Sequence, residues 1–411
     1  MQRLLIFFFL LFITSQALPQ TRTLDDYLAA ARRYNATLID YQNQLASISF
    51  DSSKVRASFL PKVNFTAGAS IAPVIGGFGY DSAISNGANY SALVGATQDL
   101  FQGGNRDLQL AKLAAQHQSI ATTLAINERD LVKSITTQYI NVYSDLRVVE
   151  STDESLRIVD EQLQVVKELV LKGVYSQIDY LNLQVSRNQQ EISLLQARTQ
   201  YRTDLFKLNE LAGIEDTSLI TLSEPQLQAT PSIPIYQSLR ARQFSLDSMS
   251  IEYDRSLLDW TYKPKLSWAA DAGLNTTDIR NTYHHLGFSV GLNLSIPIYD
   301  GRQRYFEYEK FDLSLNTKAA KSRFFYIETT IERQMLEQQL RSQDIVIDQY
   351  RKQFESINQL LGFDKEQLLK GNLKINDLLI VLNTLTTTRL SLRQAEIARL
   401  STIVELNNLN F

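Results

Sequence analysis

The chain has 411 residues, 44% of them hydrophobic and 21% charged, which supports a large ordered protein and excludes a disordered tail or linker. A formal net charge of −3 provides no global basic field and argues against nucleic acid as a partner. The absence of cysteine removes disulfides, thiolate metal sites and a lipid-modified N-terminal cysteine together.

Residues 1–20 read as a secretory signal: Arg3 supplies positive charge, Leu4 to Ile13 is an apolar run, and Ser15-Gln16-Ala17 offers small residues for cleavage. That run is about ten residues where a spanning helix needs about twenty, and no later run is apolar enough to span as a helix. An exported chain of this kind is either soluble outside the cytoplasm or embedded through strands.

Residues 21–222 form a first structural repeat. Thr23-Leu24-Asp25-Asp26 opens a helix with a cap and first-turn carboxylates, and helical composition continues to about Leu60, where Pro61 stops it. Val63, Phe65, Ala67, Ala69 and Ile71 then alternate with small or polar residues, the period of a strand with one apolar face. After a Gly/Asn/Ser-rich loop from about Gly76 to Asn89, Tyr90 to Leu100 gives a second strand, so residues 62–100 make a hairpin. Gly104 to Leu171 contains no proline and reads as one helix of about 100 Å at 1.5 Å per residue. Its distal part carries Leu146, Val149, Leu156, Val159, Leu163, Val166 and Val170 at coiled-coil spacing. A turn at 172–179 reverses the chain, helix returns from Ser176 to Leu211, and residues 223–234, with Pro225, Pro231 and Pro234, read as a linker.

Residues 235–411 repeat that order. Helix runs from about Ile235 to Tyr262, and Pro264-Lys265-Leu266 mirrors Pro61-Lys62-Val63. A hairpin at 265–297 holds two alternating strands, of which Leu286 to Ile296 is the most regular in the chain. Helix resumes to about Leu369, with Ile347, Tyr350, Phe354, Ile357 and Leu361 at heptad spacing, followed by a turn at 370–377 and a return helix. Lys172-Gly173 and Lys370-Gly371, Asp179 and Asp377, and Leu181 and Leu379 share an offset of 198, the mark of an internal duplication. In each repeat the short helix and the return helix together match the long helix, so stacked end to end they would build a helical rod with strands at one end and the turn at the other.

Apolar residues on one strand face and small or polar residues on the other suit a barrel wall between lipid and a watery lumen. An amphipathic sheet packed on the helices of a soluble protein would carry the same pattern. Phe78, Tyr80, Tyr90, Trp260, Tyr262 and Tyr283 bracket the strands as an interfacial girdle would. Four strands cannot close a barrel, for which about eight is the practical minimum, so the lipid reading requires oligomers.

The order helix, Pro-led strand, strand, Phe/Tyr-x-Gly, long helix, Gly-containing turn with a following Asp, and return helix, all duplicated, resembles the TolC family of outer-membrane efflux and secretion channels. Thr23-Leu24-Asp25-Asp26 resembles the family's opening Thr-Leu-acidic-acidic, Asn35-Ala36-Thr37-Leu38 its Asn-Pro-x-Leu without the proline, and Gly173 to Asp179 its tip motif. The likeness covers essentially the whole mature chain. It implies a mainly α chain with a small β part: a duplicated long helical hairpin in a coiled-coil barrel, with four strands per chain in a shared trimeric transmembrane β-barrel. It further implies a homotrimer in the cell outer membrane extending into the periplasm, in contact with outer-membrane lipid. Its partners would be a periplasmic adaptor and an inner-membrane transporter. The expected function is a passive exit duct of a tripartite efflux or type I secretion system. The alternative is a soluble periplasmic coiled-coil adaptor or scaffold, a class that usually shows one hairpin and no duplicated strand pairs.

Asp179 and Asp377 follow the tip turns and are gate candidates, as a ring of carboxylates from several chains would narrow and charge a pore. For Asp179 the spacing from Ser176 favours a capping box instead. Asp377 matches the aspartate that the family's second tip contributes to its constriction, while Ile380 stands where a second acid would lie one turn on. Gly173 and Gly371 are expected at positive φ, with Lys172 and Lys370 complementing the helix ends. The resemblance makes Gly173, Val174, Tyr175, Gly371, Asn372 and Leu373 adaptor-docking residues, with Val174, Tyr175, Asn372 and Leu373 exposed. No cofactor or metal is expected and enzyme readings lack parts: His117 is isolated in a helix, His284-His285 lies at a strand end, and Gly103-Gly104 has no following Lys-Ser/Thr.

Overall fold

The computed structural model describes residues 21–79, 87–277 and 279–410. The expected signal, Tyr80 and part of the loop after the first long strand lie outside the described residues. In chain order the elements are β1 (Thr21–Arg22), α1 (Leu24–Tyr34), α2 (Ala36–Ser58), β2 (Lys62–Ala72), β3 (Gly87–Leu100), α3 (Gly103–Leu171), α4 (Gln177–Ala212), β4 (Thr221–Leu222), α5 (Leu239–Thr261), β5 (Lys265–Thr276), β6 (Leu286–Ser295), α6 (Gln303–Leu369) and α7 (Ile375–Leu409). The chain is mainly α with a small β part.

Local chemistry explains most boundaries. Thr23 caps α1 reciprocally: its Oγ1 accepts from the Asp26 amide at 3.3 Å, and Asp26 Oδ2 accepts from the Thr23 amide at 2.8 Å. The helix expected to continue to Leu60 is instead two helices. Asn35 ends α1 in an extended conformation, and its Oδ1 accepts from the Leu38 amide at 3.1 Å, so it opens α2 as a cap. The Asn35 side chain thus makes the break between the two helices, with no proline beside it. Ser176 and Ser238 cap α4 and α5, and Gly213 closes α4 at φ 68°, a left-handed conformation that a residue without Cβ adopts freely.

Contacts divide the described chain into two compact units, and each draws on both repeats. One comprises residues 39–126 and 235–327, the other residues up to 38, 127–234 and 328 onward. The first unit contains a four-stranded sheet in the order β2-β3-β5-β6, every pair antiparallel, so the two hairpins are joined through β3 and β5. Register places Phe65, Val94, Ala272 and Phe288 in one row across the sheet, and Val63, Ala96, Ala270 and Val290 in the next on the same face. The opposite face carries Asn64, Thr66, Ser91, Gly95, Ser267, Asp271, Ser289 and Asn293. Apolar side chains on the first face are exposed, Phe65 at 68% and Phe288 at 84%. Gln98 sits on the same face, where it accepts from Trp268 Nε1 at 3.2 Å and donates to the Phe59 carbonyl at 3.0 Å, which satisfies its amide.

The other unit has two apolar cores. Around the tip turns, Val159, Val166 and Leu169 of α3, Leu183 of α4, Ile357, Leu361 and Leu368 of α6, and Ile375, Leu378, Leu382 and Leu385 of α7 are buried together. Of the distal heptad positions of α3, Val159 and Val166 are buried here, Leu163 and Val170 pack against the cluster, Leu146 and Val149 pack against the second core, and Leu156 belongs to neither. A second core joins Tyr27 and Ala31 of α1 to Ile135, Tyr139 and Val142 of α3 and Tyr201, Leu205 and Leu208 of α4. Ile220 and Leu222 close that core, held by the parallel pairing of β1 with β4 and by the Tyr139 hydroxyl, which donates to the Ser223 carbonyl at 2.7 Å.

Candidate functional site

The two tip turns are built alike. The Val174 amide donates to the Leu169 carbonyl at 2.9 Å and the Gly173 amide to Val170 at 3.0 Å; the Asn372 amide donates to Gln367 and the Gly371 amide to Leu368, both at 3.0 Å. This paired pattern satisfies the last carbonyls of α3 and α6, and it needs a left-handed residue at its centre, which Gly173 (φ 76°) and Gly371 (φ 73°) supply. The two turns also meet. Tyr175 OH donates to the Leu373 carbonyl at 2.7 Å, and a Cβ added at Gly371 would stand 2.5 Å from Val174 Cγ1. Tyr175 and Leu373 are therefore half-buried and packed on the tip core, in contrast to the exposure expected of them, whereas Val174 and Asn372 are exposed.

The two aspartates differ in how they are held. The Asp179 carboxylate accepts from the Ser176 amide at 3.0 Å and from Ser176 Oγ at 2.7 Å, completing a capping box at the start of α4. At the start of α7 the capping position is Lys374, whose side chain makes no cap, and the Asp377 amide bonds only to the Lys374 carbonyl. The Asp377 side chain is exposed and free of any cap. Sequence reasoning missed its neighbour on α6, Asp364. That side chain is only 9% exposed, and its Oδ2 is buried without a partner among the described residues. Burial, and secondarily the charge of Asp377, raise its carboxyl above the ordinary range. Asp364 occupies a core-facing position among leucines, so a charge interrupting that apolar stripe was the available signal.

Among the described residues no helix is long and apolar enough to cross a membrane, and no three His, Cys, Asp or Glu side chains are grouped to hold a metal. His117 lies within α3, and His284 stacks on Tyr283 with ring centres 4.1 Å apart.

Residues 42–214 match the family model for outer membrane efflux protein. The fold is that of solved outer-membrane channels. It matches VceC, the outer membrane protein of Vibrio cholerae, at a TM-score of 0.77 and 12% identity over 94% of this chain and 96% of that one. The Campylobacter jejuni CmeC outer membrane channel matches at 0.76 and 13%, over 94% and 85%. The Neisseria gonorrhoeae MtrE outer membrane channel, solved in its open state, matches at 0.75 and 11%, over 94% and 88%. No curated protein sequence matches the chain. The likeness read from the motifs is thus met by a family-model match over residues 42–214 and by a shared fold over most of the chain.

Proposed function

We propose that this chain is a protomer of a passive exit duct that carries material across the outer membrane and periplasm, with energy supplied by an inner-membrane partner. The observation that carries the reading is the four-stranded sheet. It is apolar and exposed on one face, small and polar on the other, and the outer edges of β2 and β6 pair with no further strand among the described residues. Unpaired edges at the depth of lipid would leave backbone groups unsatisfied, so β6 of one copy must pair with β2 of another. Three copies supply twelve strands, enough to close a barrel. The efflux domain match and the outer-membrane channels among the structural neighbours support the same reading, and the second copy of the strand pair disfavours a soluble adaptor.

In this reading the tip turns form the periplasmic mouth. Asp377 is the gate candidate, since its carboxylate is free to face a pore, whereas that of Asp179 is committed to its helix. An adaptor would dock on the exposed Val174 and Asn372 beside Gly173 and Gly371, with Tyr175 and Leu373 shaping the surface from beneath. Cell fractionation tests the whole proposal: heat-modifiable oligomers in the outer membrane are expected, and release of the protein by osmotic shock would overturn it.

A further inference from the structure

The connection between β2 and β3 opens with a small hairpin of its own. The Ile75 amide donates to the Phe78 carbonyl at 3.0 Å and the Phe78 amide to the Ile75 carbonyl at 3.1 Å, so the two residues bridge in antiparallel fashion around Gly76 and Gly77. Those glycines have φ 60° and 86°, and two consecutive left-handed residues are what a tight two-residue turn requires. Beside the bridge, Gly79 backs onto Val74, where a Cβ at Gly79 would stand 2.8 Å from Val74 Cγ2. Residues 74–79 therefore form a closed finger just beyond β2, at the opposite end of that strand from α2.

The finger is apolar on the outside. Phe78 is 85% exposed, Ile75 is exposed beside it, and a bridged pair carries its side chains on the same side. Ile71, the last residue of β2 on its apolar face, is exposed as well, and Val74 stands between it and the turn. No charged residue occurs from Val63 to Tyr80. So long a run of exposed apolar side chains marks a surface that is covered in use. The connection between β5 and β6 differs: it carries Arg280, His284 and His285 and folds as a short helical turn over Ile279–His284. The backbone of the finger also suits an apolar medium, because Ile75 and Phe78 satisfy each other's amides and carbonyls, whereas an open loop would carry bare polar groups into lipid.

We propose that the finger at residues 74–79 is a membrane anchor, in which Ile75 and Phe78 enter the lipid and extend the apolar face of β2 into the leaflet away from α2. The anchor rests on the sheet being the barrel wall proposed above. Continuity favours lipid over any other occupant. Ile71 stands on the face that meets lipid in that wall, and from Ala72 to Gly79 the chain continues without a polar side chain, so one medium covers both. A cap of several fingers closing over a watery lumen would instead continue the polar face of the strand.

The chain has no cysteine, so a single nitroxide can be placed at Phe78→Cys, with Phe288→Cys on the apolar sheet face and the exposed Glu215→Cys after α4 as references. The full-length oligomer is reconstituted in vesicles of phosphatidylethanolamine and phosphatidylglycerol. Spin relaxation by oxygen, which concentrates in lipid, is then compared with relaxation by chromium oxalate, an anion that hydrocarbon excludes. The Phe78→Cys label should match Phe288→Cys, with oxalate contact at least about tenfold below that at Glu215→Cys, because charge is costly in hydrocarbon. Ile75→Cys should report the same and replaces the first site where its label disturbs the turn. Oxalate contact at both finger sites equal to that at Glu215→Cys, with Phe288→Cys protected, overturns the anchor and leaves the duct standing. Strong spin–spin broadening at Phe78→Cys, absent at Phe288→Cys, means that fingers of different copies touch, and overturns the anchor in favour of a cap. Full oxalate contact at Phe288→Cys itself removes the barrel wall, and the anchor with it.

Discussion

Asp364 is a carboxyl inside an apolar helix packing, one turn from Leu361 and Leu368, with one oxygen unpartnered. Such a group costs stability that a hydrocarbon of similar size would not, so Asp364→Leu should raise stability by about 1–3 kcal/mol, read as an increase in unfolding temperature. The effect should depend on pH in a known sense. The folded-state carboxyl is raised, so the wild-type protein loses stability as the pH climbs out of the ordinary carboxylate range, and the gain from leucine should grow over the same interval. An unfolding temperature unchanged in Asp364→Leu at neutral pH would show that the site is hydrated. The two tip aspartates separate in a different measurement. Asp377→Ala removes an uncapped carboxylate and should change the conductance of reconstituted channels. Asp179→Ala removes the acid half of the capping box and should cost about 0.3–1 kcal/mol of stability instead. Conductance unchanged in Asp377→Ala removes it from the gate.

At the scale of elements, the tie between the two turns has a direct test. Tyr175→Phe keeps the ring on the tip core and deletes the 2.7 Å bond to the Leu373 carbonyl. That loss of about 0.5–1.5 kcal/mol should raise the open probability of channels in planar bilayers by roughly two- to tenfold. An unaltered open probability would mean that the bond does not restrain the mouth. Neither this tie nor Asp364 was legible in the chain, because both depend on which residues of α3, α4, α6 and α7 meet, and heptad spacing gives only which face each helix buries. What was legible was local: the Ser176–Asp179 box, the positive-φ glycines of both turns, and the alternation of β2, β5 and β6. The break at Asn35 was present in the motif but hidden by the absence of proline. The pairing of β1 with β4 could not be read, since two-residue strands carry no period and their register comes from Tyr139 and the core beneath them.

At the scale of the whole molecule, the pairing of β3 with β5 merges the two hairpins into a single wall whose outer edges, on β2 and β6, pair with no further strand among the described residues. Neither hairpin alone could separate lipid from water, and the merged wall can do so only beside other copies. That requirement makes the two faces of one strand predict opposite outcomes. Val290, at the centre of β6, is 73% exposed on the apolar face, and its neighbour Ser289 lies on the polar face with its hydroxyl donating to Asp271 Oδ2 at 2.7 Å. Val290→Arg should cost about 2–4 kcal/mol where the strand meets the middle of the bilayer, and should abolish heat-modifiable oligomers in the outer-membrane fraction. Ser289→Lys places a cation opposite the Asp271 carboxylate, where a watery lumen tolerates it, so oligomers should form and only the ion selectivity of the channel should change. If the arginine variant assembles as well as the lysine variant, the apolar face does not meet lipid, and the sheet belongs to a soluble protein after all.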